Sequence, residues 1–350
     1  MNLYRGCTHN CIYCDGRAER YYVEGEFGRD ISVKVNALEV LRRELDPKRK
    51  RSPLKPGYVM VGGGVGDSYQ PVEEKYGLTR KILALLSEKK LPVHILTKST
   101  LVKRDVDLLR KINETNKAII SFSFSSTDES ISRIFEPGVP SPKERLETIA
   151  FFKENGLACG MFLMPIIPFI TDTKEVLEKT IQDAKDAGVD FIICSGMTLK
   201  EGKQKEYFYN VLKKYYPNLL LEYQMIYKDS QWGEAIHEYS DQLHQTFHML
   251  MNLYKIPKRI PLKLFKDILT ENDLVIVILE HLDYLLKIEG KRSPFGYAAY
   301  SLSQLQVPIS TMLYQLQTIK GIGKTTEKII QEIIKTGSST YYERLLKGDI

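Results

Sequence analysis

Cys7, Cys11 and Cys14 stand in one short run, Cys7-Thr8-His9-Asn10-Cys11-Ile12-Tyr13-Cys14, a C-x3-C-x2-C pattern. Three thiolates on one loop can hold three corners of an iron–sulfur cluster. They supply no fourth ligand, because the remaining cysteines, Cys159 and Cys194, lie far along the chain. An open metal position is where chemistry happens, whereas a closed one staples structure. A zinc staple would want four ligands. His9 lies inside the loop and could serve, but no second C-x2-C or H-x3-H pair follows. A disulfide framework belongs to small, cysteine-dense secreted chains. Here five cysteines are spread over 350 residues, with no signal-peptide pattern and no apolar run long enough to span a bilayer. Reduced cysteines and an easily oxidised open cluster imply a cytoplasmic, low-oxygen setting without a membrane partner.

The elements that must position this loop follow it. From about Tyr58 to Ser195, short apolar runs alternate with amphipathic ones. Strands are predicted at Tyr58–Val61, Pro92–Thr97, Ala118–Ser123, Leu157–Met164 and Asp190–Cys194. Helices are predicted at Leu78–Leu86, Asp105–Ile112, Ser141–Asn155 and Lys174–Ala187. Ser141-Pro142 is a good N-cap and first-turn pair, and Gly156 and Gly188 are stop signals. Strands joined by helices of this length form a parallel sheet from βα units, and function gathers at the C-terminal strand ends. Beyond about Lys200 the sequence turns charged, Tyr-rich and helical, with helices predicted at Glu206–Tyr216, Ala235–Lys255 and Asp273–Ile288. The expected class is therefore α/β, with a barrel-like region over 1–200 and a smaller α-helical C-terminal region over 201–350. The net charge of +6 is compatible with a nucleic-acid partner without requiring one. Arg42, Arg43, Lys48, Arg49, Lys50, Arg51 and Lys55 form one basic run, and Lys255, Lys258, Arg259, Lys263 and Lys266 another. Either alone reads more readily as a solvated face than as a phosphate track.

Arg5-Gly6-Cys7-Thr8-His9-Asn10-Cys11-Ile12-Tyr13-Cys14 resembles the signature of radical S-adenosylmethionine (SAM) enzymes, specifically the spore photoproduct lyase-like branch often labelled DNA repair photolyases. The resemblance implies a partial (β/α) radical SAM barrel, open at one side to admit a large substrate. It implies a 4Fe-4S cluster whose open iron chelates the amino and carboxylate groups of SAM. It also implies reductive cleavage to a 5′-deoxyadenosyl radical that abstracts hydrogen from a substrate, with an external one-electron donor such as a flavodoxin or ferredoxin. Tyr13 would lie beside the adenine. Family members carry a strand upstream of the cluster loop. Here Met1 stands six residues before Cys7, so either the start lies too late or Asn2-Leu3-Tyr4 alone begins the barrel.

The strand ends offer candidates for the SAM pocket. Gly62-Gly63-Gly64 by itself reads as an ordinary strand-to-helix turn. It also resembles the Gly-Gly-Glu-type motif whose carbonyls meet the SAM amino group, which points to Gly63 and Gly64. Gly66-Asp67-Ser68-Tyr69-Gln70-Pro71-Val72-Glu73 resembles the branch's Thr-Asp-Pro-Tyr-Gln-Pro-hydrophobe-Glu element. Asp67 is there a candidate for ribose or substrate, or with Ser68 a cap for the following helix. Lys98 ends a strand and puts a positive charge at the sheet mouth, suited to the SAM carboxylate. Ser121 and Ser123 share one strand face, the barrel interior if Phe122 points outward. They are candidates for ribose hydroxyls, or small core serines bonded to backbone. Glu136-Pro137-Gly138 and Met164-Pro165-Ile166-Ile167-Pro168 also match family elements, the second closing over the adenine. His94 reads as strand packing. Spore photoproduct lyases carry a hydrogen-returning cysteine shortly after the glycine strand end, where this chain has Val65-Gly66-Asp67, and Asp15 replaces the aromatic after the third cluster cysteine. These departures leave the substrate open.

Leu316 to Ile330 places Gly321-Ile322-Gly323 between two short predicted helices and resembles the helix-hairpin-helix of DNA-repair proteins, over about 316–333. Such a turn exposes backbone N–H groups that grip a phosphate. Gly321, Gly323, Lys324 and Lys328, with Lys320, are the candidates for DNA or RNA, and they would read shape and phosphate, not sequence. A packing unit without nucleic acid is the competing reading. So are a radical enzyme acting on a peptide or small molecule, and a nucleic-acid-binding protein with a structural or redox-sensing cluster.

Overall fold

The computed structural model describes residues 1–21, 25–49, 56–228, 232–288 and 290–347. It forms two compact units, Met1–Pro53 with Tyr58–Ile256, and Leu54–Gly57 with Pro257–Ile350.

In the first unit a short antiparallel pair, β1 (Tyr4–Arg5) and β2 (Ser32–Val33), brackets the cysteine loop, and α1 is Ala37–Glu44. The βα alternation then runs β3 (Val59–Gly62), α2 (Val72–Tyr76), α3 (Leu78–Glu88), β4 (Val93–Thr97), α4 (Val106–Thr115), β5 (Ala118–Phe124), α5 (Glu129–Phe135), α6 (Pro142–Glu154), β6 (Ala158–Ile166), α7 (Lys174–Asp186) and β7 (Phe191–Gly196). Strands β3 to β7 are parallel and adjacent in sequence order. The order never reverses as it does in a doubly wound sheet, so this is the strand order of a (β/α) barrel left unclosed between β7 and β3. Met1 O accepts from Gly62 N at 3.2 Å, laying the first residues beside β3.

Period-two alternation divides each strand between two layers. Ile95, Ile120, Phe122, Met161, Leu163 and Ile192 join Leu83, Phe152 and Ile181 of the helices in one apolar core. Cys159 and Cys194 share that helix-side layer. The opposite face brings together His94, Ser121, Phe162 and Phe191. Helix α6 begins as expected, with a full capping box between Ser141 and Glu144.

Helices α8 (Lys203–Tyr215), α9 (Leu220–Ile226) and α10 (His237–Tyr254) also belong to the first unit. The division therefore falls after Ile256, whereas the change in composition suggested about residue 200. The reason is packing. Leu243, Phe247, Leu250 and Met251 of α10 enter the core of the sheet. Phe208, Leu212 and Tyr223 pack with Cys11, Ile12 and Tyr13. The residues that make this stretch look charged, such as Lys203, Glu206, Lys213 and Lys214 of α8, are exposed, and the apolar faces beneath them are the ones that pack.

The second unit is helical: α11 (Glu271–Ile288), α12 (Phe295–Ser303), α13 (Lys324–Thr336) and α14 (Thr340–Lys347) surround Ile278, Leu282, Ala298, Ile330 and Tyr342. The segment before Gly321 departs from the expected helix, because Ile309–Met312 and Leu316–Thr318 are 3-10 turns. The second basic run is no continuous stripe, since Lys258 is buried and the Arg259 guanidinium lies 3.3 Å over the Tyr284 ring. In the first run Arg42, Arg43, Lys48 and Arg49 are exposed, and Lys50, Arg51 and Lys55 lie outside the described residues. Among the described residues no helix is long and apolar enough to cross a membrane.

Candidate active site

Cys7, Cys11 and Cys14 open on a cavity of about 380 Å³ at the C-terminal ends of the strands. All three thiols are free. Long-range bonds seat their loop. Gln70 brackets Cys7, its Nε2 donating to Gly6 O at 3.1 Å and its Oε1 accepting from Thr8 N at 3.0 Å. Arg17 donates to Cys11 O at 3.1 Å and Asn10 Oδ1 at 2.6 Å, while its guanidinium lies 3.6 Å from the Tyr207 ring. Gly138 approaches so closely that a Cβ there would sit 2.5 Å from Thr8 O and 2.8 Å from His9 O.

His9 and Asp67 tie the loop to the strand ends. His9 Nδ1 lies 2.9 Å from Gly138 O, and Nε2 lies 3.2 Å from Asp67 Oδ2. Both partners are acceptors, so a ring with two N–H donors satisfies both. Burial opposes the charge, but Asp67 and the Gly138 carbonyl outweigh it and raise the His9 pKa. Asp67 Oδ1 also accepts from Tyr69 N at 2.8 Å and Thr97 Oγ1 at 2.7 Å, and Oδ2 from Lys98 N at 2.7 Å. With both oxygens doubly engaged, Asp67 works as a tether at the cavity wall, with no acceptor position left for ribose. It does not cap α2, whose N-cap is Pro71.

Lys98 lies in a second knot. Its Nζ donates to Ser123 Oγ at 2.7 Å and to Glu136 Oε1 at 3.3 Å, and it stands 5.7 Å from the Tyr13 ring centre. Ser123 donates onward to Met164 O at 2.9 Å. Glu136 also accepts from the Tyr13 hydroxyl and from Arg145 Nη2 at 2.6 Å. Burial alone would raise the Glu136 pKa, but Arg145 and Lys98 overcome it and hold the carboxyl at about 2. Arg145 and Glu136 are both fully buried.

On the far side of Cys14, Asp15 accepts from Thr198 Oγ1 at 2.7 Å and pairs with Lys200 Nζ at 2.6 Å. Gln204 of α8 donates to Tyr13 O at 2.9 Å and Asp15 Oδ1 at 3.0 Å. These bonds fasten the segment after β7 to the cysteine loop.

Of the sequence candidates, Cys7, Cys11, Cys14, Tyr13, Gly63, Gly64, Asp67, Lys98 and Ser123 line this cavity. Ser121 does not. It shares Ser123's face but lies one layer deeper, where its hydroxyl is 2.8 Å from His94 Nε2. Gly321, Gly323, Lys324 and Lys328 are in the second unit. Arg17, Arg145 and Gln204 escaped sequence reasoning, and His9 suggested only a zinc ligand. His9 and the Asp67 and Glu136 motif blocks were visible, but nothing local marked them as partners.

The donor set suits a cluster. Among the described residues no three His, Cys, Asp or Glu side chains converge as for a single metal ion, whereas a cluster takes each thiolate on its own iron. Burial pushes Cys11 up to about 12 and raises Cys7 and Cys14, so iron binding must release their protons. Gly64, with φ of +75°, faces open space at the cavity wall, where a Cβ would meet nothing within 4 Å.

The radical SAM superfamily profile matches residues 1–181. An uncharacterised protein of Mycobacterium tuberculosis (strain H37Rv) is 31% identical over 260 residues, 73% of this chain and 74% of that one. An uncharacterised protein of Acidianus two-tailed virus is 32% identical over 224 residues, 61% and 71% of the respective chains. A solved structure of spore photoproduct lyase, a mutant with bound AdoMet and dinucleoside spore photoproduct, matches with a TM-score of 0.54 at 17% identity over 72% of each chain. That likeness shows the fold. The chain belongs to the radical SAM superfamily, whose cofactors are a 4Fe-4S cluster and SAM.

Proposed function

We propose that this protein is a spore photoproduct lyase-like radical SAM enzyme that acts on nucleic acid, DNA first and RNA as the alternative. One observation carries the enzymatic reading: three loop cysteines, the Gly63-Gly64 backbone and the Lys98 ammonium all meet one cavity at the strand ends. When bound, the cluster and SAM supply a 5′-deoxyadenosyl radical that abstracts hydrogen from substrate. Cys7, Cys11 and Cys14 would hold the cluster. Lys98 would meet the SAM carboxylate, the Gly63 and Gly64 carbonyls its amino group, and Ser123 a ribose hydroxyl. Tyr13, Met164 and Pro165 would give the adenine an apolar bed. An external flavodoxin- or ferredoxin-like donor would supply the electron, in the cytoplasm.

The nucleic-acid reading draws on the second unit, and on the dinucleoside photoproduct bound by the spore photoproduct lyase of similar fold. Helix α13 starts at Gly323 with no side-chain cap, and Lys320, Lys324 and Lys328 around its first turns are exposed. Free N–H groups beside lysines suit a phosphate. The hydrogen-returning cysteine of the spore photoproduct lyases has no counterpart at its position in this chain. No cysteine follows Gly64 closely, and Cys159 and Cys194 pack in the helix-side core.

The test is anaerobic cluster reconstitution followed by reductant and SAM. 5′-Deoxyadenosine is expected, and a yield no higher than that of Cys11→Ala would sink the enzymatic reading. Deuterated DNA or RNA then shows which one transfers label to 5′-deoxyadenosine. Transfer from neither would remove the nucleic-acid substrate.

A further inference from the structure

From Lys291 to Thr326 the chain contains no Asp or Glu, and its charged residues are Lys291, Arg292, Lys320 and Lys324. Within that acid-free stretch α12 carries no charge but presents two tyrosines to solvent, Tyr297 at 48% and Tyr300 at 64% exposure. They sit at i and i+3, on one helix face, with ring centres 6.4 Å apart and planes inclined by 36°.

The pair is built onto the glycine turn. Gly321 has φ of +90°, and a Cβ there would stand 2.3 Å from Tyr297 Cδ1, so only glycine lets the turn lie against that ring. Ser301, between the tyrosines and the next turn of α12, donates to Lys320 O at 2.8 Å. Lys320 Nζ stands 5.9 Å from the Tyr297 ring centre. Two exposed aromatic rings and an adjacent ammonium thus lie together, and the carboxylates that neighbouring elements bring to this segment are engaged, Asp283 by Lys287 and Glu327 by Gln317.

We infer that this surface binds single-stranded nucleic acid, with unpaired bases stacking on Tyr297 and Tyr300 and the backbone phosphates following Lys320 and Lys324. Base–aromatic stacking tolerates any base because each has a π-face, and lysines beside the rings neutralise the strand. A duplex offers those rings no free base faces, so the surface selects unpaired strand. The inference rests on the nucleic-acid reading above and narrows it to an unpaired substrate.

The test uses the full chain and fluorescence anisotropy with a labelled oligothymidylate, an oligouridylate and a duplex of equal length. Single strands are expected to bind at least several-fold tighter than the duplex. Tyr300→Ala is expected to weaken single-strand binding about ten-fold with an unchanged salt slope, whereas Lys320→Gln lowers the slope. Tyr300 does not support Gly321, so its variant tests stacking without disturbing the turn, and Tyr297→Leu provides a second reading. Wild-type affinity in both tyrosine variants, or a duplex bound as tightly as single strand, overturns this inference while leaving nucleic-acid binding intact. Failure of wild type to bind any of the three probes overturns both.

Discussion

Lys98 Nζ faces Glu136 Oε1 across 3.3 Å, joining the end of β4 to the C-cap of α5. The same carboxylate holds Arg145 on its other side and the Tyr13 hydroxyl. One buried anion thus pairs with two cations, leaving the knot with one net positive charge at the cavity, and orients the aromatic ring between two cluster cysteines.

Glu136→Gln keeps the shape and removes the charge, leaving Arg145 buried without its counter-ion. Breaking such a pair costs about 3–5 kcal/mol. Urea unfolding of the variant is expected to show a loss of that order, and a loss under about 1 kcal/mol would mean that the pair behaves like an exposed one.

Gly138→Ala forces a methyl group against the backbone carbonyls of Thr8 and His9. These cannot rotate away as a side chain would. Iron bound per chain after reconstitution is expected to fall well below wild type, while far-UV circular dichroism stays unchanged because the sheet is untouched. Full iron loading would show that the loop seats without this contact.

His94 is buried among Tyr58, Phe162 and Phe191, and burial lowers its pKa to about 4. Between the unfolded value near 6.5 and this folded value, the unfolded chain binds more protons, so stability rises with pH. Stability is complete above about 6.5, falls as acid is added and levels off below about 4. The loss is on the order of 3 kcal/mol at roughly 1.4 kcal/mol per unit. Urea unfolding at pH values across this window should show it, and His94→Gln should remove that component. An identical pH profile in the variant would assign the dependence elsewhere.

Lys324→Glu reverses a charge in the first turn of α13. DNA affinity is expected to drop, and the slope of log affinity against log salt to become shallower by about one to two units. Unchanged affinity and slope would remove this helix start from the nucleic-acid surface.

The cysteine spacing, the five parallel strands and the start of α6 at Ser141 were legible in the chain, because each depends on neighbours within one loop or one period of a strand or helix. Alternation correctly put Ser121 and Ser123 on one face. It could not say that barrel layering leaves Ser123 at the cavity and gives Ser121 to His94. Asp67 read locally as a ligand or a cap. Its saturation depends on His9, 58 residues earlier, and Thr97, 30 residues later. Composition suggested a boundary near residue 200, yet the buried faces of α8 to α10 extend the first unit to Ile256. Local sequence therefore determined the cluster chemistry and the elements that present it. Tertiary structure decided which polar groups remain open to a ligand, because a donor or acceptor is free only when no distant segment has brought its partner.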